Sequence, residues 1–115
     1  MDEKKLSQMP CESCSADATP ATQEEREKFG QEIPQWQVET VDGVDRLVRE
    51  FSFGNFAEAL EFTNRIGAIA EEVQHHPKLV TEWGSCEVSW WSHEMGGLHR
   101  NDYILAARTD AAFAG

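Results

Sequence analysis

Three of the four histidines in this sequence fall in two clusters, Gln74-His75-His76-Pro77 and Ser92-His93, with His93 seventeen positions after His76. An unperturbed imidazole changes charge at about pH 6.5, so it exchanges protons near neutrality where carboxylates and lysines do not. Three imidazoles facing one cleft would suit acid-base catalysis. Proline biases the residue before it away from helical geometry. His76 is therefore expected to be extended and to mark where a helix arriving from Glu71 stops. Two adjacent imidazoles at such an exit splay apart, and a strand returning beside them brings in the third. If the last helical turn persists, Glu71 and His75 stand at i and i+4 and share a face. A metal site is the rival reading, with His99 as a fourth ligand. Adjacent histidines seldom hold one ion together, and no carboxylate or thiolate lies at metal-site spacing, so no metal is expected.

The rest of the composition bounds the setting of these groups. A chain of 115 residues makes one small domain with a modest core. A hydrophobic share of 40%, with four Trp and six Phe, favours a packed globule over a disordered chain. A net charge of −11 opposes direct nucleic-acid binding, which relies on clustered Lys and Arg to displace counterions. No run of about 18 apolar residues exists, so no membrane span is expected. Met1-Asp2-Glu3-Lys4-Lys5 leads into polar residues without the apolar core of a secretory leader, which makes a cytoplasmic location the expectation. Three cysteines in such a chain argue against a disulfide framework. Cys11 and Cys14 form a lone CxxC without further zinc ligands or a flanking strand and helix, and read as part of an exposed tail. Cys86 reads as a small core residue.

The elements that must position the histidines follow from periodicity. Residues 1–21, with Pro10 and Pro20 and no apolar period, are expected to be a flexible N-terminal arm, and residues 22–115 the folded domain. Thr22 and Glu25 form a capping box for a short helix from Gln23 to Phe29, which Gly30 is placed to end. Alternation from Trp36 to Val41 predicts a strand, Asp42-Gly43 a hairpin turn, and Asp45 to Phe53 the return strand. Asn55 caps a helix whose stripe is Phe56, Ala59, Leu60, Thr63, Ile66, Ile69, Ala70 and Val73. After Pro77, Lys78 to Thr81 is read as a connection to a strand pair whose second member is Cys86 to Ser92. There Cys86, Val88 and Trp90 point one way, and Glu87, Ser89, Trp91 and His93 the other. A last helix runs from Asn101 to Phe113, with Asp102 in its favourable first turn. The order predicts an α+β fold, an antiparallel four-stranded sheet with helices packed on one face.

With these residues in place, the sequence resembles the pterin-4a-carbinolamine dehydratase family, also called 4a-hydroxytetrahydrobiopterin dehydratases. The family pattern is Glu-x-x-x-His-His-Pro, a fixed gap, Thr-His, then Gly-Leu-x-x-x-Asp and Leu-Ala. Here Glu71, His75, His76, Pro77, Ser92, His93, Gly97, Leu98, Asp102, Leu105 and Ala106 supply it with the gap intact. Trp36, the run Phe51 to Phe56 and Thr63-Asn64-Arg65 resemble the family's strand-to-helix passage. The likeness spans about residues 22–110. Ser92 replaces the usual Thr and keeps the hydroxyl, His99 stands where Ser or Thr usually caps the last helix, Asn101 where a basic residue often precedes the aspartate, and Trp83 where a Tyr is common. These changes resemble the bacterial branch associated with phenylalanine hydroxylase.

The resemblance implies dehydration of 4a-hydroxytetrahydropterin to quinonoid dihydropterin and water, recycling the pterin of aromatic amino acid hydroxylases. It implies no cofactor. It assigns His75, His76 and His93 to catalysis: His75 and His93 as the acid-base pair, with the order of acid and base open, and His76 to substrate orientation, with a share in base duty left open. Glu71 would orient His75, Trp36 would wall the pterin pocket, Ser92 would support the third histidine, and Asp102 would hold its loop. The partners implied are the pterin substrate, a functionally coupled hydroxylase, and further copies of the chain in a homodimer or homotetramer. The alternative is a protein-interaction or regulatory module, in hydroxylase expression or transcription-factor dimerisation. Its surface would be an exposed last helix with Tyr103, Ile104 and Ala107.

Overall fold

The computed structural model describes residues 5–11 and 19–114. Helix α1 spans Gln23–Gly30. Thr22 Oγ1 accepts from the Glu25 N–H and Glu25 Oε1 from the Thr22 N–H, both at 3.0 Å, so the expected capping box is formed. The period-two stretch forms β1, Gln37–Val41, and β2, Val44–Ser52. Between them Asp42 and Gly43 adopt φ of 53° and 79°. Two successive positive φ values are what a type I′ hairpin requires.

Helix α2, Phe56–Val73, starts at Asn55, whose Oδ1 accepts from the Glu58 N–H at 2.8 Å. It buries Ala59, Phe62, Ile66 and Ala70. Phe62 was not in the expected stripe, whereas Phe56 and Leu60 were and are 44% and 43% exposed. At roughly 100° per residue, Phe62 lies on the line through Ala59 and Ile66, while Phe56 and Leu60 fall on its flank.

The hairpin after α2 is β3, Lys78–Glu82, and β4, Ser85–Trp90. The segment Lys78–Thr81, expected as a connection, is thus itself a strand. It is an edge strand with only partly buried residues, so its apolar alternation is weak in the sequence. The sheet runs β1-β2-β4-β3 and is antiparallel throughout. Helix α3, Arg100–Ala114, follows.

Cys86, Val88 and Trp90 alternate along β4 onto one face and are fully buried. Both long helices lie on that face. From α2 the Thr63 hydroxyl reaches Cys86 Sγ at 3.3 Å, and on α3 Thr109 Oγ1 accepts from Trp90 Nε1–H at 3.0 Å. The α+β arrangement with helices on one side of a four-stranded sheet is as expected.

Two further expectations change. The last helix is not an open surface: Tyr103, Ile104 and Ala107 are buried between the sheet, α1 and the N-terminal segment. An Ala-rich helix reads as neutral, but small side chains on several sides let neighbours approach from several directions. Residues 5–11, assigned to a flexible arm, are docked. Leu6 is fully buried in a 3₁₀ turn, Leu6–Gln8, and the Arg108 guanidinium donates to the Ser7 and Met9 carbonyls at 3.2 and 2.7 Å. One apolar residue and a few backbone carbonyls suffice for docking, and neither produces a period. Cys14 lies outside the described residues, and with it the CxxC pair.

Candidate active site

Helix α2 ends in a left-handed residue, Gln74, with φ 53° and ψ 41°. The His75 N–H donates to the Ala70 carbonyl at 3.2 Å and the Gln74 N–H to the Glu71 carbonyl at 3.4 Å. This pair of bonds is a Schellman closure, built here without glycine. The left-handed step turns the chain sharply, and the two imidazoles diverge. His75 is buried, and His76 keeps 53% of its side chain exposed.

His75 meets the first turn of α3. Its Nε2 lies 2.7 Å from Asp102 Oδ1, and its ring stacks beside Trp90 with centroids 5.9 Å apart. Asp102 is wholly buried, and its Oδ2 accepts from the Ser92 hydroxyl and the His99 N–H, each at 2.8 Å. A carboxylate oxygen only accepts, so His75 presents Nε2–H to Asp102 and keeps Nδ1 for other work. His99 Nδ1 accepts from the Asn101 N–H at 3.0 Å. His99 thus caps the start of α3 through its imidazole, which takes the Asn101 N–H, while the Asp102 carboxylate reaches back to the His99 N–H.

His93 opens a tight loop. The Ser92 N–H donates to the Gly97 carbonyl at 2.8 Å and the Gly96 N–H to the Ser92 carbonyl at 2.9 Å, with Gly96 at φ 73°. His93 is exposed, stacks on Trp91 at 4.3 Å, and places Nε2 3.1 Å from the His76 carbonyl oxygen. That oxygen can only accept, so His93 also donates through Nε2 and leaves Nδ1 available. The three sequence-predicted histidines thus come to one end of the sheet. His76 and His93 are at its rim and His75 is beneath, behind Ser92 and Asp102.

The supporting residues are arranged differently from the expectation. Glu71 pairs with His76, Oε2 to Nε2 at 2.5 Å, and not with His75. The helix stops at Val73, so the i, i+4 geometry that would join Glu71 to His75 never forms. The partner of His75 is Asp102, 27 residues on. Asp102 is also bonded to Ser92, the residue before His93. Trp36 stands apart from the histidines. Its Nε1–H donates to Asp110 at 2.8 Å and its ring meets Phe51 edge-on. Eight residues of helix, about 12 Å, separate Asp110 from Asp102 along α3. With Tyr103, Arg26 and Ile33, Trp36 lines a cleft of about 370 Å³ that contains none of the three histidines.

Sequence reasoning missed the Trp91 contact of His93 and, behind it, the Arg46 guanidinium 3.9 Å over the same indole. Trp91 and His93 had been placed on one face of their strand, which was the available signal. Cys11 is half-buried near Asp102 and Arg108. Burial raises its thiol pKa, Arg108 opposes this, and Asp102 adds to it. Among the described residues no three His, Cys, Asp or Glu side chains converge in a way that could hold a metal ion. Nor is any helix there long and apolar enough to cross a membrane.

Comparison with known proteins identifies the family and the fold. The family model described as pterin 4 alpha carbinolamine dehydratase matches residues 19–112. A protein of Syntrophotalea carbinolica, provisionally named a pterin-4-alpha-carbinolamine dehydratase, is 56% identical over 108 residues, 94% of this chain and 96% of its own. A similarly named protein of Saccharophagus degradans is 51% identical over 110 residues, 96% of this chain and 97% of its own. Among solved structures, a transcriptional coactivator/pterin dehydratase from Brucella melitensis superposes with a TM-score of 0.72 at 26% identity, over 82% of this chain and 98% of that one. A pterin dehydratase-like RuBisCO assembly factor of the alpha-carboxysome shares the fold, with a TM-score of 0.57 at 22% identity over 68% of this chain and 88% of its own. On the family match and the near-full-length identity, the chain belongs to the pterin 4 alpha carbinolamine dehydratase family, a family of hydro-lyases.

Proposed function

We propose that this protein dehydrates 4a-hydroxytetrahydrobiopterin to quinonoid dihydropterin and water, with His75, His76 and His93 as the working groups. The N5–H proton leaves and the nitrogen lone pair forms the N5–C4a double bond. The C4a–O bond breaks, and the departing hydroxyl takes a proton to become water. The push from N5 already weakens that bond, so positioned acids and bases suffice, each contributing on the order of 100-fold to 10,000-fold in rate. No metal or organic cofactor enters this reading.

What supports it is that the three histidines lie at one end of the sheet, with His75 Nε2 against Asp102 and His93 Nε2 against the His76 carbonyl, which leaves Nδ1 of each for exchange. His75 and His93 are the acid-base pair in this assignment, and His76, backed by Glu71, orients the substrate. Asp102 and Ser92 hold His75 and the His93 loop. Coupling to an aromatic amino acid hydroxylase, self-association as a dimer or tetramer, and a cytoplasmic location belong to the same reading.

The test is the decay of 4a-hydroxytetrahydropterin, generated in a hydroxylase reaction, with purified protein present. Acceleration above the spontaneous rate is expected, falling about 100-fold or more in His75→Ala and His93→Ala with the fold retained. Wild-type protein that leaves the spontaneous rate unchanged ends the enzymatic reading. It would favour the regulatory alternative, for which the observation is the Brucella melitensis neighbour described as both coactivator and dehydratase.

A further inference from the structure

The outer face of the sheet carries a stack of which the dehydration chemistry above uses His93 but neither Trp91 nor Arg46. Arg46 lies on β2, and the ladder that pairs Leu47 with Trp90 puts Arg46 opposite Trp91 one step further on. The Arg46 Cζ is 3.9 Å from the centre of the Trp91 ring, and the His93 ring is 4.3 Å from it at 28°. Two planar groups that both lie about 4 Å from one ring centre have no room side by side on the same face of that ring. The indole is therefore held between guanidinium and imidazole. The order Arg46, Trp91, His93 is a clamp built from β2 and the segment that follows β4.

We propose that Trp91 and Arg46 are positioning residues for His93. The proposal rests on the reading of His93 as a proton-transfer group. His93 is exposed, and an exposed imidazole bonded, among the described residues, through Nε2 to the His76 carbonyl would still turn about that bond. Stacking on Trp91 removes this freedom, because the ring plane must follow the indole. The indole cannot tilt in turn, because Arg46 occupies its other face. Nδ1 of His93 then keeps one direction, which proton transfer to or from a bound heterocycle requires.

A second observation points the same way. Arg46 Nε is buried and has no hydrogen-bond partner among the described residues. A buried N–H is costly to leave unpaired. A guanidinium kept over the indole despite that cost gains its place through the cation–π contact rather than through hydrogen bonds. Lysine has no planar fork to lie on the ring, so it does not replace arginine at this position.

The experiment has two arms on the full-length protein. In the kinetic arm, Trp91→Ala is expected to lower kcat about 10-fold to 100-fold with KM nearly unchanged, since misplacement of a reacting group falls on the chemical step. Trp91→Phe, which restores a flat ring, should return kcat to within about 3-fold of wild type, and Arg46→Lys should remain impaired. In the spectroscopic arm, NMR of the His93 ring protons should show an upfield ring-current shift and one dominant Nε2–H tautomer in wild type and Trp91→Phe. Both signatures should be lost in Trp91→Ala. Normal kcat in Trp91→Ala, or His93 signals unchanged by that substitution, overturns the proposal. Wild-type protein without dehydratase activity sinks the enzymatic reading instead, and the NMR arm then decides on its own whether the stack holds the imidazole.

Discussion

Asp102 concentrates more of this site than any histidine does. It is wholly buried and accepts from the His75 ring, the Ser92 hydroxyl and the His99 N–H. Of these partners only the His99 N–H is bound to donate; the His75 ring nitrogen donates or accepts with its tautomer. An asparagine in its place must turn its amide N–H₂ toward one of the others, and toward His75 it forces the Nδ1–H tautomer, which takes up the nitrogen kept for exchange. Asp102→Asn is expected to cost about 1–3 kcal/mol through the altered pairing of these buried groups. Asp102→Ala, which strands His75 as well, should cost about 3–5 kcal/mol. Urea unfolding measures both, and the dehydration assay should show kcat falling in Asp102→Asn while the protein is still folded. Full activity in folded Asp102→Asn would detach the buried carboxylate from the work of His75. Glu71 is the contrasting acid. Its pair with His76 is exposed on both sides, 71% and 53%, and exposed ion pairs contribute little to stability. The value of Glu71 is in where it holds His76.

At the scale of elements, the β1–β2 hairpin is tied to α1 through Asp45. Its carboxylate accepts from the Thr40 hydroxyl at 2.6 Å and from Arg26 Nη1 at 3.1 Å. These two bonds, Thr40 first, hold its pKa below the usual carboxylate value. The folded state thus favours the ionised form. The stabilisation is present above the unfolded value of about 3.9 and is lost as pH falls through the lower, folded one. Asp45→Asn should therefore lower stability at pH 7 by a few tenths to about 1 kcal/mol, since the group is partly exposed and screened. The difference from wild type should vanish in acid. Thermal denaturation from pH 7 downward gives the profile, and a gap that widens as pH falls would reverse the assignment. Elements were largely legible beforehand. Capping residues and turn residues act within four positions of themselves, so Thr22-Glu25, Asp42-Gly43 and Asn55-Glu58 could be located without knowing the fold. The edge strand β3 was not legible, because its inner face, Leu79 and Thr81, is only partly buried and its exposed face carries an apolar Val80, which blurs the alternation.

Over the whole molecule, the N-terminal segment closes a core that the domain alone leaves open. Leu6 is fully buried against α3, Glu32 Oε1 accepts from the Leu6 N–H at 3.1 Å, and Arg108 reaches the Ser7 and Met9 carbonyls. Leu6→Ala should destabilise by about 2 kcal/mol, the low end for a buried leucine, because the segment can detach without unfolding the sheet. Limited proteolysis is the sharper measurement. Cleavage within residues 5–11 should accelerate in Leu6→Ala well below the global melting temperature, and equal rates in the two proteins would show the segment to be held by other means.

The amino-acid sequence on its own determined the identity of the three histidines, the helical and strand segments that carry them, and the likeness to a dehydratase family. Those depend on residue type, local period and spacing, all of which act over a few positions. The tertiary structure alone decided which acid serves which imidazole, that Arg46 and Trp91 back His93, and that Leu6 belongs to the core. Asp102 reaches His75 because a left-handed Gln74 ends α2 at Val73 and the β3–β4 hairpin brings the chain back under α3. Such pairings are fixed by the direction in which an element exits and by the register of strands distant along the chain, and neither leaves a periodic trace in the residues themselves.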